Sequence, residues 1–563
     1  MSKSFEQLSQ ERKDAQALGL FPEWYTTQAY QMFQAKYAVP GEQGLRGRHQ
    51  TIARTLSKYL PNPEYWERKF FDVMWQGHLS PASPVLANTG TYRGLTVSCS
   101  GQYIGDSIDS FYSNLHEAAM LSKMGFGCSG YFGDIRPRGA DISVGGKASG
   151  VVPVIKDFAQ MAANVSQGSQ RRGSVASYLP IDHDDFEELI GLLESEPDGL
   201  NIGWNVSDDF IERLKAGDKD ANERFMRSLH AKLVTGRGYY FFQDKANRLR
   251  PQMYKDQGLD VKASNLCTEI LLHSSEEYTY TCVLSSMNLA KYDEWKDTDA
   301  VYVATVFLDC VVSYFMDQAK YIPGLEKALK FTEKGRAIGL GVMGYSTYLQ
   351  SQMIPFESFQ AHMLNQQIFK KLHDDSLAAS QWMAKELGEP EWCKGHGVRN
   401  THRTAIAPTK STALLMGGVS EAVFPDPGMV FEIGSAAGGM KRISGQFYEL
   451  AKARGKYSPE LIKDINQHIG SVQHLDWLTE EEKLVFRTAF EVDQEAILRL
   501  ASTRQKYLCQ GQSLNFFVSE DGDEERIARL HSLAFLDPNI TALYYIYSRS
   551  GIVINNECVA CAA

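Results

Sequence analysis

The spacing of apolar and polar residues changes along this chain, and each change predicts a different element. Over roughly the first eighty residues, Gln43 to Tyr59 and Glu64 to Met74 set apolar stripes beside charged faces, the spacing of helices that pack on one side. Ser80 to Gly90, SPASPVLANTG, is rich in turn formers. Through the middle, short apolar runs alternate with helical stretches, as at Gly150 to Val165, Tyr239 to Gln243, Val301 to Ala319 and Thr404 to Ala407. That alternation predicts an α/β architecture with many parallel strands. From Tyr457 to Arg504 the pattern is charged and helical, and Ile540 to Tyr547, ITALYYIY, reads as a strand. Asn555 to Ala563 has no periodicity and reads as a tail. There is no internal repeat, low-complexity tract or interdomain linker.

Composition narrows the picture. The length of 563 residues allows several domains or one large barrel with attachments. With 43% hydrophobic residues the chain can bury a large core, and its 22% of charged residues is ordinary. A net charge of -10 argues against nucleic acid as a partner but permits a nucleotide, whose phosphates are held by local donors. Met1 to Arg12 lacks the apolar centre of a signal peptide, and no run of about eighteen apolar residues marks a membrane span. A cytoplasmic location is expected. Nine cysteines, an odd number spread over a long chain, do not make a disulfide framework in a reducing compartment, which leaves some thiols for chemistry.

Some motifs fail on context. Gly339, Gly341 and Gly344 match GxGxxG, but the preceding Leu325 to Arg336 is helical where a dinucleotide site needs a strand, so a tight packing turn is expected. Gly145, Gly146 and Lys147 resemble part of a phosphate loop, yet Ala148 stands where Ser or Thr is needed. No HExxH occurs, the thirteen histidines lack metal-ligand spacing, and Cys558 with Cys561 is a lone CxxC. No metal site is expected.

Ser264 to Glu269, SNLCTE, is more informative. If the segment is extended, Asn265, Cys267 and Glu269 point to one side. There a thiol exchanges a hydrogen atom or acts as a nucleophile, a carboxylate takes a hydroxyl proton, and an amide bonds an oxygen in either role. Alone, these residues favour a buried structural Cys beside a surface Glu. They are joined by Cys99 in TVSCS, Cys282 in TCVLS, and Cys558 and Cys561 in ECVAC.

These five cysteines, in this order and context, resemble the signature of the class I ribonucleotide reductase large subunit, from about Ser80 to the C-terminus. The resemblance implies a ten-stranded α/β barrel of two five-stranded parallel halves (residues 91–550, with a smaller inserted α/β element). It also implies a helical N-terminal region (1–90) and a redox-active tail (551–563). Cys267 resembles the thiyl-radical residue that abstracts the 3′-hydrogen. Glu269 then takes the 3′-OH proton, Asn265 holds substrate hydroxyls, and Cys99 and Cys282 become the disulfide. Cys558 and Cys561 would reduce that pair and be reduced by thioredoxin or glutaredoxin. Tyr544 and Tyr545 resemble the stacked pair that passes an oxidising equivalent from a separate radical-generating small subunit. A cobalamin-dependent reductase, the alternative, would not need them. A non-catalytic nucleotide-binding relative and a simple dithiol oxidoreductase fit less well, given the retained cysteines and the long chain before the CxxC.

Ser83, Ser98, Pro408, Thr409, Lys410, Ser411 and Thr412 resemble the substrate-phosphate contacts. Asp106, Arg136, Gln167 and Arg171 resemble the site that reads a deoxynucleotide or ATP effector, with Mg2+, and links it to substrate choice. The loop Gln167 to Ala176 departs from the family's glycine-rich form in carrying Gln170 and two adjacent arginines. No ATP-cone-like segment precedes Ser80, so the expectation is control of specificity without overall shutdown by dATP. The resemblance also allows an effector-dependent homodimer, with no cofactor bound covalently. Cys128, Cys310, Cys393 and Cys509 are expected to be structural.

Overall fold

The computed structural model describes residues 4–165, 167, 173–435, 438–518 and 524–549. Cys558, Cys561 and Arg171 lie outside the described residues. The N-terminal stripes form helices Gly44–Ser57 and Pro63–Trp75, close to the predicted ranges. Ahead of them, helix Phe5–Ala17 starts on a capping box between Ser4 and Gln7. The turn-rich stretch holds a strand that the sequence pattern did not indicate, β1 (Leu79–Pro81), followed by helix Ser83–Asn88.

Five strands then succeed one another: β2 (Cys99–Tyr103), β3 (Gly127–Tyr131), β4 (Val175–Pro180), β5 (Ile202–Val206) and β6 (Tyr239–Phe242). Each pairs in parallel with the next, and helices make the crossovers, as parallel pairing requires. Next, β7 (Tyr280–Asn288) pairs antiparallel with β1 and β2 and parallel with β8 (Ile338–Met343). A separate hairpin follows, β9 (Val430–Ser435) and β10 (Gly438–Ile443). The last strands are β11 (Phe516–Val518), β12 (Ala542–Leu543) and β13 (Ile546–Ser548).

The pairings close into a ring. Leu340 of β8 bridges in parallel to Thr404, and Ile406 bridges in parallel to Gln512. The chain from Gln512 runs into β11, which is parallel to β13, and β12 returns antiparallel to β6. Ten segments result: β2 to β6 form one parallel half, and β7, β8, 404–406, 512–518 and 542–548 form the other. The halves meet antiparallel at both seams, β2 with β7 and β6 with β12. Every residue of β3, β5, β6, β7 and β8 is buried, as expected of strands covered on both faces.

One sequence expectation changes. Gly339 and Gly341 are not in a turn but inside β8. A Cβ on Gly341 would meet the Ala405 carbonyl oxygen at 2.4 Å, and one on Gly339 would meet Leu284 at 2.5 Å, so glycine here permits close approach of neighbouring segments. Helix Ala300–Ala319 does have the length and apolarity of a membrane span, although Asp309 and Asp317 interrupt its apolar run. It is mostly buried in the core, and Asp309 pairs there with Arg336 and Arg399, each at 2.9 Å. The two guanidinium groups hold the Asp309 carboxyl below its usual range against the opposing effect of burial.

Outside the ring, the root of β9 and helices Gly445–Ala453, Pro459–Gln467 and Glu480–Val485 enclose a separate apolar cluster that includes Met429, Phe447, Ile465, Leu478 and Phe486.

Candidate active site

The seam between β2 and β7 places Cys99 directly opposite Cys282. Opposed Cα atoms of an antiparallel pair lie about 4.5–5.5 Å apart, within the range a disulfide spans. Both are free thiols in this structure. Burial pushes the Cys282 thiol well above its usual range, so it stays protonated. Gln510 Nε2 donates to its sulfur at 3.5 Å, and Asn265 Nδ2 donates to Cys99 Sγ at 3.2 Å.

Asn265, Cys267 and Glu269 lie on a buried loop. They converge through a turn, not through the extended backbone that alternation implied. Residues 266–268 bend, and Thr268 takes φ 69, a left-handed conformation costly for a β-branched residue. The turn is over-determined. Asn265 Oδ1 accepts from Ile270 N at 3.1 Å, Ser264 Oγ donates to Ile270 O at 2.7 Å, and Tyr178 OH donates to Asn265 O at 2.6 Å. From the opposite half of the ring, Ser513 Oγ lies 2.6 Å from Cys267 O and 3.1 Å from Glu269 Oε2. Gly511 N donates to Glu269 O at 2.7 Å, and Gln510 Oε1 accepts from Leu271 N at 3.1 Å.

Cys267, Glu269, Cys99 and Ser98 line one cavity of about 100 Å³ with Ser83, Ser285 and the stretch 407–412. Cys282 and Asn265 stand behind this lining, against Cys99. Two short helices, Ser83–Asn88 and Lys410–Leu415, begin at the wall, and the N-terminal end of a helix suits an anion. Thr409 precedes the second helix at φ 59, with its hydroxyl accepting from Ala422 N at 2.8 Å. Ser83 Oγ is 2.7 Å from Tyr37 OH. The Ser98 hydroxyl is buried with no partner among the described residues, a donor suited to a ligand oxygen.

On its other side Cys267 meets the tyrosines. Tyr544 OH donates to Cys267 Sγ at 3.6 Å. The Tyr544 and Tyr545 rings lie 4.0 Å apart at 40°. They sit between β12 and β13, so the predicted strand is split around the pair. Tyr239 packs on both, 5.0 Å from Tyr544 and 5.6 Å from Tyr545, with its hydroxyl 3.2 Å from that of Tyr545. Lys232 Nζ donates to Tyr544 O at 2.6 Å from a fully buried position, which lowers its pKa to about 7.

The proposed effector residues lie elsewhere. Asp106 follows β2 and Arg136 follows β3, and they form a 2.6 Å ion pair, half exposed. Gln167 is buried: its Nε2 donates to Arg93 O at 2.9 Å and lies 3.4 Å from Asn88 Oδ1. Asn88 ends the helix that Ser83 begins. The Gly145–Lys147 turn is exposed and closed by a Lys147–Asp141 pair at 2.7 Å. Cys128, Cys310 and Cys393 are buried, and Cys509 Sγ accepts from Arg403 N and Thr404 N.

Gln510, Ser513, Tyr178, Tyr239 and Lys232 were not found from sequence. The one signal was the Gln510 to Ser513 stretch standing just ahead of the apolar run Phe516 to Val518.

Comparison with known proteins places this geometry. The model of the ribonucleotide reductase barrel domain matches residues 97–225, 218–392 and 390–546, and that of the all-alpha domain matches residues 23–94. A frog virus 3 protein named as a ribonucleoside-diphosphate reductase large subunit is 34% identical over 88% of this chain and 90% of its own length. A Thermoplasma acidophilum protein named as a vitamin B12-dependent ribonucleoside-diphosphate reductase is 31% identical over 84% of this chain and 64% of its own. Among solved structures, the class Id ribonucleotide reductase alpha subunit of Actinobacillus ureae superposes with a TM-score of 0.87 at 38% identity, covering 96% of this chain and 99% of that one.

Proposed function

This chain belongs to the ribonucleotide reductase large-subunit family, and from that premise we propose that it reduces ribonucleoside diphosphates through a thiyl radical at Cys267. The observation that carries the reading is the position of Cys267: its sulfur accepts from Tyr544 OH at 3.6 Å on one side, and on the other it shares a cavity with Glu269 and Cys99.

The diphosphate rests on the helix starts at Ser83 and Lys410 and on Ser98. The Cys267 thiyl takes the 3′-hydrogen, leaving a carbon radical and a Cys267 thiol. Glu269 takes the 3′-OH proton, and Asn265 orients the ribose hydroxyls. The 2′-oxygen leaves as water with a proton from the Cys99–Cys282 pair. That pair then supplies the remaining proton and two electrons, and it becomes a disulfide. Glu269 returns its proton to the 3′-oxygen, and Cys267 returns its hydrogen to C3′ and is again a thiyl. The net change is one ribonucleotide and two thiols to one deoxyribonucleotide, one disulfide and water. Protonated thiols suit this role, because hydrogen atoms and protons are what must be delivered, and the enclosed site keeps the radical from solvent. Cys558 and Cys561 reduce the disulfide by thiol–disulfide exchange and are restored by a thioredoxin or glutaredoxin.

The oxidising equivalent comes from a radical-generating small subunit through Tyr545 and Tyr544. Overlapping rings 4.0 Å apart support that route over a cobalamin formed beside the cysteine. Asp106 and Arg136 bind a deoxynucleotide or ATP effector with Mg2+. Gln167 reports its identity to the cavity through Asn88 and the helix that starts at Ser83.

The test is CDP reduction by the full chain with an active small subunit, a dithiol reductant and an effector. Turnover should require the partner and vanish in Cys267→Ser and Tyr544→Phe. Turnover with adenosylcobalamin and no partner would overturn the relay.

A further inference from the structure

Among the described residues, one group of three ligand-type side chains outside the cavity draws together: Asp464, His468 and His474, whose ligand atoms all lie within 4.8 Å of one another. The histidines show no metal-ligand spacing along the chain, because the fold creates it. Asp464 lies in the last turn of helix Pro459–Gln467 and His468 is its C-cap, one turn on along the same face. The chain then reverses through Ile469 at φ 54 and Gly470 at φ 80, which brings His474 back over the helix end.

The reversal is held under strain. A β-branched residue in the left-handed region is an outlier, and the Ile469 side chain is 51% exposed, so its own burial does not account for the conformation. An anchor does. Met429 N donates to Gly470 O at 2.8 Å, and a Cβ on Gly470 would meet Gly428 Cα at 2.7 Å. The result is a set of converging donors. His474 Nε2 is 2.6 Å from Asp464 Oδ2, and His468 Nδ1 lies 2.9 Å from the Asp464 carbonyl oxygen and 3.4 Å from Oδ1, which leaves His468 Nε2 without that contact. The two imidazoles stack with centroids 3.6 Å apart at 15°.

We propose that Asp464, His468 and His474 bind a divalent transition ion of borderline softness, of which Zn2+ is the type. Two imidazole nitrogens and a carboxylate oxygen form a donor set that Zn2+ accepts, whereas Mg2+ and Ca2+ favour oxygen alone. Water completes the shell, since all three side chains are partly exposed. The ion ties the helix end to the returning chain and, through Gly470 and Met429, to the root of the β9–β10 hairpin. This site is independent of the reductase chemistry.

The test is calorimetric titration of the full chain with Zn2+, in a Cys558→Ser, Cys561→Ser background that removes the CxxC thiols, paired with Co2+ spectra. One equivalent should bind with nitrogen and oxygen ligand bands and no thiolate charge transfer. His468→Ala and His474→Ala should each weaken it by more than about tenfold, since even an outer-shell partner contributes that much. His396→Ala, at a His396–Asp256 pair of 3.4 Å, should leave it intact. The substituted side chains are exposed, and matching ion-free melting curves would show the fold is kept. No uptake, uptake with only a thiolate signature, or uptake unchanged in both His468→Ala and His474→Ala would overturn the proposal.

Discussion

The cavity at the ring centre and the Asp106–Arg136 surface are both proposed to meet a nucleotide, yet they are built in opposite ways. At the cavity wall and just behind it, Asn265, Glu269 and Cys282 are at most 1% exposed, and hydrogen bonds with Ser513, Gly511, Gln510 and Tyr178 fix the backbone around Cys267. At the surface, one ion pair with side chains 26% and 39% exposed carries the charge. Hydrogen-atom transfer fails when atoms move by about an ångström, so its site has to be over-determined. Reading an incoming phosphate requires a charge that can change partners, so its site has to remain accessible.

The strongest way to break this comparison is at the sulfur. Cys267→Ser should cut CDP turnover by at least about 10³-fold, the scale seen when one member of a cooperating catalytic set is lost. Equilibrium binding of CDP and the thermal midpoint should stay close to wild type. A variant that kept even a tenth of the activity would mean that the over-determined turn serves packing and that the chemistry lies elsewhere.

A smaller effect tests the over-determination itself. Gln510→Leu removes the partners of Leu271 N and Ile338 O, both in the buried interior. Each buried group left unsatisfied costs about 1–3 kcal/mol, so denaturant unfolding should show a loss of about 2–4 kcal/mol. Wild-type stability in this variant would show that Gln510 adds nothing to the hold on the loop.

Gln510 also shows what the sequence could not reveal. Cys99, Cys267, Cys282, Glu269, Asn265 and the tyrosine pair, which the structure brings together, are singled out in the sequence by the family resemblance of their local contexts. Gln510 and Ser513 sit over two hundred positions from the loop they hold, and nothing local marks them. Parallel strands followed from alternating apolar runs and the two halves from the family resemblance, but the ring closes through single bridges at Thr404 and Ile406, too short to carry a period. The SNLCTE segment was read as extended because alternation alone cannot register a left-handed Thr268. The Asp464, His468 and His474 cluster depends on a reversal that only the Gly470 anchor creates.

Lys232 tests the wall beneath the tyrosines. Burial lowers its pKa to about 7, against about 10.4 in an unfolded chain. Between these values the unfolded state binds the extra proton, so stability rises with pH, by up to about 1.4 kcal/mol per unit from this group. Cys282 acts in the opposite sense, but only above about pH 8.5, where an unfolded thiol begins to ionise. Between pH 7 and 8.5, Lys232→Met should therefore flatten the rise of unfolding free energy relative to wild type. Parallel curves for the two proteins would mean that Lys232 stays charged when folded, held by the Tyr544 carbonyl and the face of Tyr240 at 5.2 Å.

The smallest expected change in stability sharpens the comparison most. Asp106→Asn breaks an exposed ion pair, and such pairs contribute about 0–1 kcal/mol, so unfolding should shift by less than about 1 kcal/mol. Function should respond differently. If Asp106 reads the effector, Asn loses the carboxylate that orients Arg136, and the effector-dependent change in preference between CDP and other substrates should shrink by about 5-fold or more, the usual scale of allosteric coupling. Effector-free turnover should persist, because neither residue lines the cavity. A stability loss of several kcal/mol with selectivity intact would make the pair a structural clamp. A loss of selectivity at nearly constant stability would show that exposure, which makes the ion pair weak, is also what lets a ligand exchange into it.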